Sequence, residues 1–491
     1  MLKFTSYTFT IIVILFCSGF FISYVHANKH PVITKVKLTQ NEKFSKIEIR
    51  LTEPVQSLPV LMAALQNVSF ELEAFLPERK LKRIKNEKIV NDEFSITSEK
   101  DFVNKVQLIP FSQGTRFEIK RNYFTPVNFI QQESPPALIV EFPREYFQKE
   151  SKELKKGITK HFIRTVGNRG PVSFHVLEID LSNKNISFKV GMPDLNKLKK
   201  KLTLKQIVEK EKAYAGINAN YFDVKEGNPL GTLITDGTWV TGPVYDRVAI
   251  GFSKDNMVFI DQVMLHGEGT VYRGFRKKEK GMIYIDGLNA PYHLYNKVGF
   301  FTDHWSSEIE IPEDKSGVVV ENDIVRGLID EKTSIPHEGY VLVSNGKDID
   351  EMLKKKDRIK INWVSTPNWA EVKESVSGGP YLIMGGEVYI DEKDQRFKFA
   401  IKDAYAPRSA IGIGKNGNLF LITVDGRRPG LSVGVTLTDF AGLLKKLELQ
   451  EAINLDGGGS TTLVVDGKIV NTLSERHERK VSNALLVFYK D

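Results

Sequence analysis

The feature that most constrains this chain is a set of Asp-Gly and Asn-Gly dipeptides set between runs of alternating apolar and polar residues. Asp236-Gly237, Asn416-Gly417 and Asp466-Gly467 each occupy such a position. Alternation with period two buries one face of a strand, and the dipeptide supplies the positive-φ positions of a tight two-residue turn. Hairpins are therefore expected to dominate. Two stretches depart from this pattern. Leu204, Ile207 and Val208 follow Thr203 at helical spacing, and Leu437, Phe440, Ala441, Leu444 and Leu447 form a helical stripe that ends just before AINLDGGGSTT at 452–462. The fold class expected is α+β, with a mixed or antiparallel sheet domain that carries a few helices, preceded by a small all-β module.

At 491 residues the chain exceeds one ordinary core, and about two to four domains are expected. Residues 1–27 combine Lys3, an apolar run and a Val25-His26-Ala27 ending, the pattern of a secretory signal peptide. Residues 31–147 hold a loose internal repeat: KIEIRLTEPV from Lys46 and VSFELEAF from Val68 are echoed by RFEIKRNYFTPV from Arg116 and ALIVEFP from Ala137. Such alternation reads as a β-rich module. QKESKELKKG, from Gln148 to Gly157, is highly charged and reads as a linker or an exposed helix, and 148–160 is taken as the linker between domains. The remaining residues, 161–491, form the second expected domain.

Several function classes are excluded. Cys17 is the single cysteine and lies inside the expected signal peptide, so disulfide frameworks and cysteine-based metal or redox sites are ruled out for the mature chain. A net charge of +8 is too small to argue for nucleic acid and favours anionic neighbours such as phosphate-bearing envelope polymers. After residue 27 no run approaches the roughly 18 apolar residues of a membrane span. HExxH, GxSxG, Walker and strand-linked GxGxxG motifs are missing from the contexts they require.

What remains is a group of polar motifs at strand ends. AGINANYFD carries Asn218, Asn220 and Asp223; VSGGPYLI carries Gly378-Gly379-Pro380; APRSAIGIG opens on Arg408 and its partner strand ends in VDGR with Asp425 and Arg427; AINLDGGGSTT carries Asn454 and Asp456. Each alone is explained by turn chemistry. Together they suggest a site. Gly457, Gly458 and Gly459 permit close approach of a ligand, successive N–H groups there are able to form an anion nest, and Ser460, Thr461 and Thr462 add hydroxyls. Arg408, Arg427 and Arg479 supply the planar forks that suit phosphate oxygens.

These residues resemble the phosphodiester glycosidase family. The resemblance is carried by INANYFD at 217–223, SGGPYLI at 377–383, PRSAIGIGKNGNLFLITVDGR at 407–427, INLDGGGSTTLVVDG at 453–467 and ERKVSNALLV at 478–487. It extends over roughly residues 200–490, and DGLNAPYHLYNKVGFFTD is similar to a segment of bacterial members. Asn220-Tyr221 departs from the glycine or phenylalanine of many relatives, and Lys480 from their proline or glutamine. The 31–147 module resembles AMIN-type envelope domains, which implies docking on cell-wall glycan.

The resemblance implies hydrolysis of a sugar-1-phosphodiester of the GlcNAc-1-phosphate type in an envelope or extracellular glycopolymer. A phosphate monoester leaves readily, so such a site has mainly to neutralise phosphate and stabilise an oxocarbenium-like centre. It assigns Asp456 as nucleophile or base, with Asp425 able to exchange roles with it. Arg408 and Arg479 would hold the phosphodiester. Asn218, Asn454 and Arg427 would contact substrate, and 457–461 would cradle an anionic oxygen. No cofactor is expected, with structural calcium left open. The alternative from another class is a non-catalytic envelope glycan-binding protein. In either case the protein is expected outside the cytoplasm, with no nucleic-acid partner and no membrane contact after signal cleavage.

Overall fold

The computed structural model describes residues 30–490 except 42, 64–65, 77–93, 98–101, 168, 275–277, 330, 345–347, 394 and 398, together with a strand at Phe9–Ile14. The expected signal peptide otherwise lies outside the described residues. By residue contacts the chain divides into two compact units: Met1–Lys149, Arg164–Ser173 and Arg428–Val433, and then Glu150–Ile163, Phe174–Arg427 and Gly434–Asp491.

The first unit is built from two five-stranded antiparallel sheets, and the internal repeat explains their pairing. Phe44–Leu51, from the first copy, pairs with Pro136–Pro143, from the second. Asn67–Leu72, from the first copy, pairs with Gly114–Arg121, from the second. Each sheet thus takes one strand from each copy. Alternation sends Ile47, Ile49, Phe70, Phe117, Leu138 and Val140 into one core, where Phe70 and Phe117 stack with ring centroids 4.9 Å apart.

In the second unit antiparallel pairing again prevails. Leu419–Val424 lies between residues 174–179 and Arg408–Gly414, followed in order by Leu449–Asn454, Tyr381–Met384 and Glu387–Val388. A second sheet has the order Ile186–Gly191, Ala484–Tyr489, Ala215–Asn218, Leu463–Val465, Lys468–Ile469. A third holds Val372–Ser377 between Leu233–Thr235 and Val248–Ser253, and a fourth, of eight strands, runs through residues 264–366. One core joins the first three, through Leu177, Ile217, Ile250, Val376, Ile411, Ile453 and Leu485.

The α+β expectation is corrected to a mostly β fold. Among the described residues there are four α-helices, and the pairings between named strands are antiparallel apart from Gly287–Leu288 with Val298–Phe301. The two helices read from the sequence are present. Leu204–Glu211 starts on a Thr203/Gln206 capping box, and Leu437–Lys446 starts on Thr436, whose hydroxyl accepts from Asp439 N at 3.0 Å. Leu447 falls one residue past the second helix, as its C-cap.

Two local readings change. Residues 148–160 are not a bare linker: Phe147–Lys155 and Ile158–Gly167 are neighbouring strands, because charged side chains suit an outward face as well as they suit a linker. Asp236-Gly237 and Asp466-Gly467 make the expected two-residue turns with positive φ at both positions. Asn416-Gly417 instead sits in a four-residue connection between Gly414 and Leu419, with positive φ at Gly417 alone of the pair.

Candidate active site

The polar motifs meet where Ala215–Asn218, Arg408–Gly414 and Leu449–Asn454 end. Asn218, with no exposure, donates from Nδ2 to the Asp456 carbonyl at 2.5 Å and accepts at Oδ1 from Ser409 Oγ at 2.8 Å and Thr462 N at 3.0 Å. The Asp456 N–H donates to the Ala219 carbonyl at 3.0 Å and Leu455 N–H to the Ser409 carbonyl at 2.9 Å. The glycine loop is therefore tied to both neighbouring strand ends. Asn220 repeats the device one step on, bonding Asn483, Ser377 and Thr232.

Asp456 is half-buried, and burial pushes its carboxyl up to about 6, against the pull of the Ser460 hydroxyl, the Arg479 guanidinium and the Gly457 N–H. The Ser460 hydroxyl approaches without reaching regular hydrogen-bond geometry. Some accessible surface coexists with dense surroundings, so the upward direction follows from lost hydration even though solvent reaches the group. Arg479 pairs with Glu475, and both lie against Gly459, where a Cβ would collide with the carboxylate and the guanidinium alike. Gly458 has φ +63°, and a Cβ there would stand 3.4 Å from Arg427 Nη2. Arg427 itself is exposed.

Several assigned roles shift on this geometry. Arg408 was expected on the phosphodiester, but it is 5% exposed and spends Nε on the Val435 carbonyl and Nη2 on the Ile401 and Ala404 carbonyls. It braces loops. Asn218 was expected on a sugar hydroxyl, yet it is sealed from solvent and engaged on both sides of the amide. The backbone nest expected over 457–461 is largely consumed internally: Gly458 N donates to the Pro407 carbonyl, Ser460 N to that of Gly457 and Thr461 N to that of Gly458. Asp425, 1% exposed, accepts from Thr472 N at 2.9 Å and stands 3.4 Å from His175 Nε2, which places it as an anchor for the segment that carries Glu475 and Arg479.

Asn454 faces Tyr221, one of the two residues at which the INANYFD motif departs from many relatives. Its Nδ2 donates to the Tyr221 hydroxyl at 2.6 Å, and that hydroxyl donates to the Gly379 carbonyl at 3.1 Å. Tyr221 feels the Asp456 charge, and its phenol is held well above its ordinary range, chiefly by burial. Beside it Arg247 lies over the rings of Phe397 at 4.0 Å and Tyr221 at 5.7 Å. Tyr245 and Asp246, both at positive φ, carry the turn into Arg247. Glu475 had a legible signal, its i, i+4 spacing to Arg479; Arg247 and Phe397 had none. A Cβ on Gly378 would run into the Asn454 carbonyl, so SGGP serves close backbone approach.

Unpartnered buried polar atoms gather here: Asn454 Oδ1 and the hydroxyls of Ser460, Thr461 and Thr462 on the loop, with Ser482 Oγ and Asn483 Nδ2 on the segment that meets Asn220. Such atoms are expensive to leave unpaired. Among the described residues no group of three or more His, Cys, Asp or Glu is placed to hold a metal.

The second unit is thus mostly antiparallel β, with a half-buried aspartate on a glycine loop flanked by arginines. Residues 299–488 match the family model of the phosphodiester glycosidases. Among curated relatives, the N-acetylglucosamine-1-phosphodiester alpha-N-acetylglucosaminidase of Bos taurus is 33% identical over 132 residues, 23% of this chain and 24% of that one. The SPbeta prophage-derived uncharacterized protein YomE of Bacillus subtilis is 42% identical over 85 residues, 17% of this chain and 13% of that one. The matches thus span less than a quarter of these relatives' lengths. A hypothetical protein from Synechocystis shares the fold with a TM-score of 0.65 at 21% identity, covering 95% of this chain and 82% of that one.

Proposed function

We propose that the protein hydrolyses a sugar-1-phosphodiester, of the GlcNAc-1-phosphate type, in an envelope or extracellular glycopolymer. What supports this reading is the half-buried Asp456 on its glycine loop, with Arg479 and the exposed Arg427 beside the same loop. Exposed guanidinium forks suit phosphate oxygens. In the reaction water adds at the anomeric carbon, the bond from that carbon to the phosphate oxygen breaks, and the phosphate monoester leaves without general-acid help. Asp456 serves the anomeric side, as nucleophile or as the base that deprotonates water, while Arg479 and Arg427 stabilise the departing charge. Arg408, Asn218 and Asp425 position these groups.

Export rests on the composition of residues 1–27; among the described residues no helix is long and apolar enough to cross a membrane. The N-terminal unit is read as a glycan-docking module by its resemblance to AMIN-type domains. The deciding experiment is release of free GlcNAc from a synthetic GlcNAc-1-phosphodiester. Turnover that vanishes in Asp456→Asn supports the reading, and the anomer first released separates nucleophile from base. Binding without turnover in the unaltered protein points to the non-catalytic alternative.

A further inference from the structure

A cavity of about 610 Å³ in the second unit is lined by Lys199, Asn228, Tyr292, His293 and Trp305, and none of the residues described around Asp456 belongs to its lining. Its size is that of a ligand site. Asn228 is 1% exposed, and neither Nδ2 nor Oδ1 has a hydrogen-bond partner among the described residues. A buried amide with both ends unpaired is unfavourable until water or a ligand supplies a matching acceptor and donor.

The charges on the wall indicate what kind of ligand. Lys199 pairs with Glu226 at 2.5 Å and Lys332 with Glu308 at 2.5 Å, so these cations are already matched and a phosphate would have to displace a carboxylate. Lys199 also lies 5.7 Å above the Trp305 ring. The Tyr292 hydroxyl is committed to the Glu310 carbonyl at 2.6 Å. What the cavity offers is aromatic surface, a neutralised polar wall and one free amide. An acetamido group, with its own N–H and C=O, complements that amide in both directions.

One loop joins this cavity to the active site. Tyr221, at its start, bonds Asn454, and Leu230 N donates back to the Tyr221 carbonyl at 2.8 Å. The tip between them is closed on itself, with Asp223 N donating to the Asn228 carbonyl at 3.0 Å and Asp223 Oδ1 accepting from Lys225 and Glu226. We infer that the cavity binds an acetamido sugar belonging to the same glycan that is cleaved beside Asp456. The second half of this statement rests on the function proposed above; the first half stands without it.

The test is calorimetric titration of the Asp456→Asn protein, full chain, with N,N′,N″-triacetylchitotriose, and with cellotriose as the analogue lacking acetamido groups. Saturable binding of the first, with cellotriose weaker by about tenfold or more, is expected. Asn228→Ala and the cavity-filling Ser306→Trp should each weaken it by about tenfold, with thermal melting used to confirm that both variants fold. In the otherwise unaltered enzyme, both variants should leave kcat/KM on the small synthetic GlcNAc-1-phosphodiester unchanged. Equal binding of the two trisaccharides, no binding, or binding indifferent to both variants would overturn the assignment. Failure of the unaltered enzyme to hydrolyse that GlcNAc-1-phosphodiester would sink the cleavage reading while leaving the binding result to stand on its own.

Discussion

Asn218 and Asp456 are joined by a 2.5 Å hydrogen bond from the Asn218 side-chain amide to the Asp456 main-chain carbonyl, while the other end of that amide holds Ser409 and Thr462. One sealed side chain thus sets the height of the carboxylate above two strands. Asn218→Ala leaves a buried carbonyl, an N–H and a hydroxyl without this partner, and should destabilise the protein by about 2–4 kcal/mol. Chemical denaturation measures it. A loss under about 0.5 kcal/mol, within the range of ordinary surface changes, would show that the tether is dispensable.

Asp456 should trade stability for chemistry. Its folded carboxyl titrates at about 6, above the ordinary 3.8 of an unfolded aspartate. The folded state therefore holds the proton more tightly between those values, and stability declines as pH rises through that window. Asp456→Asn removes the cost of ionisation and should stabilise the protein above pH 6 by about 1–3 kcal/mol while abolishing turnover. Melting curves at pH 4 and pH 8 check the sign: a gain at pH 4 equal to that at pH 8 would contradict it.

The same titration sets the rate. As nucleophile or base, Asp456 acts ionised, so kcat/KM should fall about tenfold for each pH unit below 6. A profile flat from pH 5 to pH 8 would remove Asp456 from the proposed step.

Arginines should separate into two kinds. Arg408→Ala strips three backbone carbonyls of their donor and should lower stability by about 2–5 kcal/mol. Arg427→Ala, at an exposed position, should leave stability within about 0.5 kcal/mol and weaken inhibition by inorganic phosphate. The reverse pattern would return Arg408 to the phosphate.

Gly459 tests the packing of the ion pair on the loop. Gly459→Ala places a methyl against Glu475 and Arg479, and should cut kcat by about tenfold or more, a displacement of the order of 1 Å being enough. Steady-state kinetics at saturating substrate decide; an unchanged kcat would show that Arg479 need not hold its position.

Much of this was legible in the chain. Strand alternation, the Asp-Gly turns, the Thr203 helix start and the helical stripe from Leu437 depend on neighbours a few residues apart, and local patterns report local interactions. The repeat in the first unit was also readable, though not its consequence that each sheet draws one strand from each copy. The roles of the polar residues were less so. Arg408 and Arg479 look alike in sequence; one is enclosed by carbonyls of Ile401, Ala404 and Val435, and the other stands half-open beside Asp456.

By itself the sequence determined that a β-rich chain would bring strand-end polar motifs into play and that Asp456 would stand on a loop of glycines. Only the tertiary structure decided which polar groups are spent on holding that loop and which remain free. It also placed Tyr221, Arg247 and Phe397 together from three distant segments. The reason is physical: whether an amide binds substrate depends on the acceptors and donors around it, and around Asn218 those are contributed by residues 191 to 244 positions away.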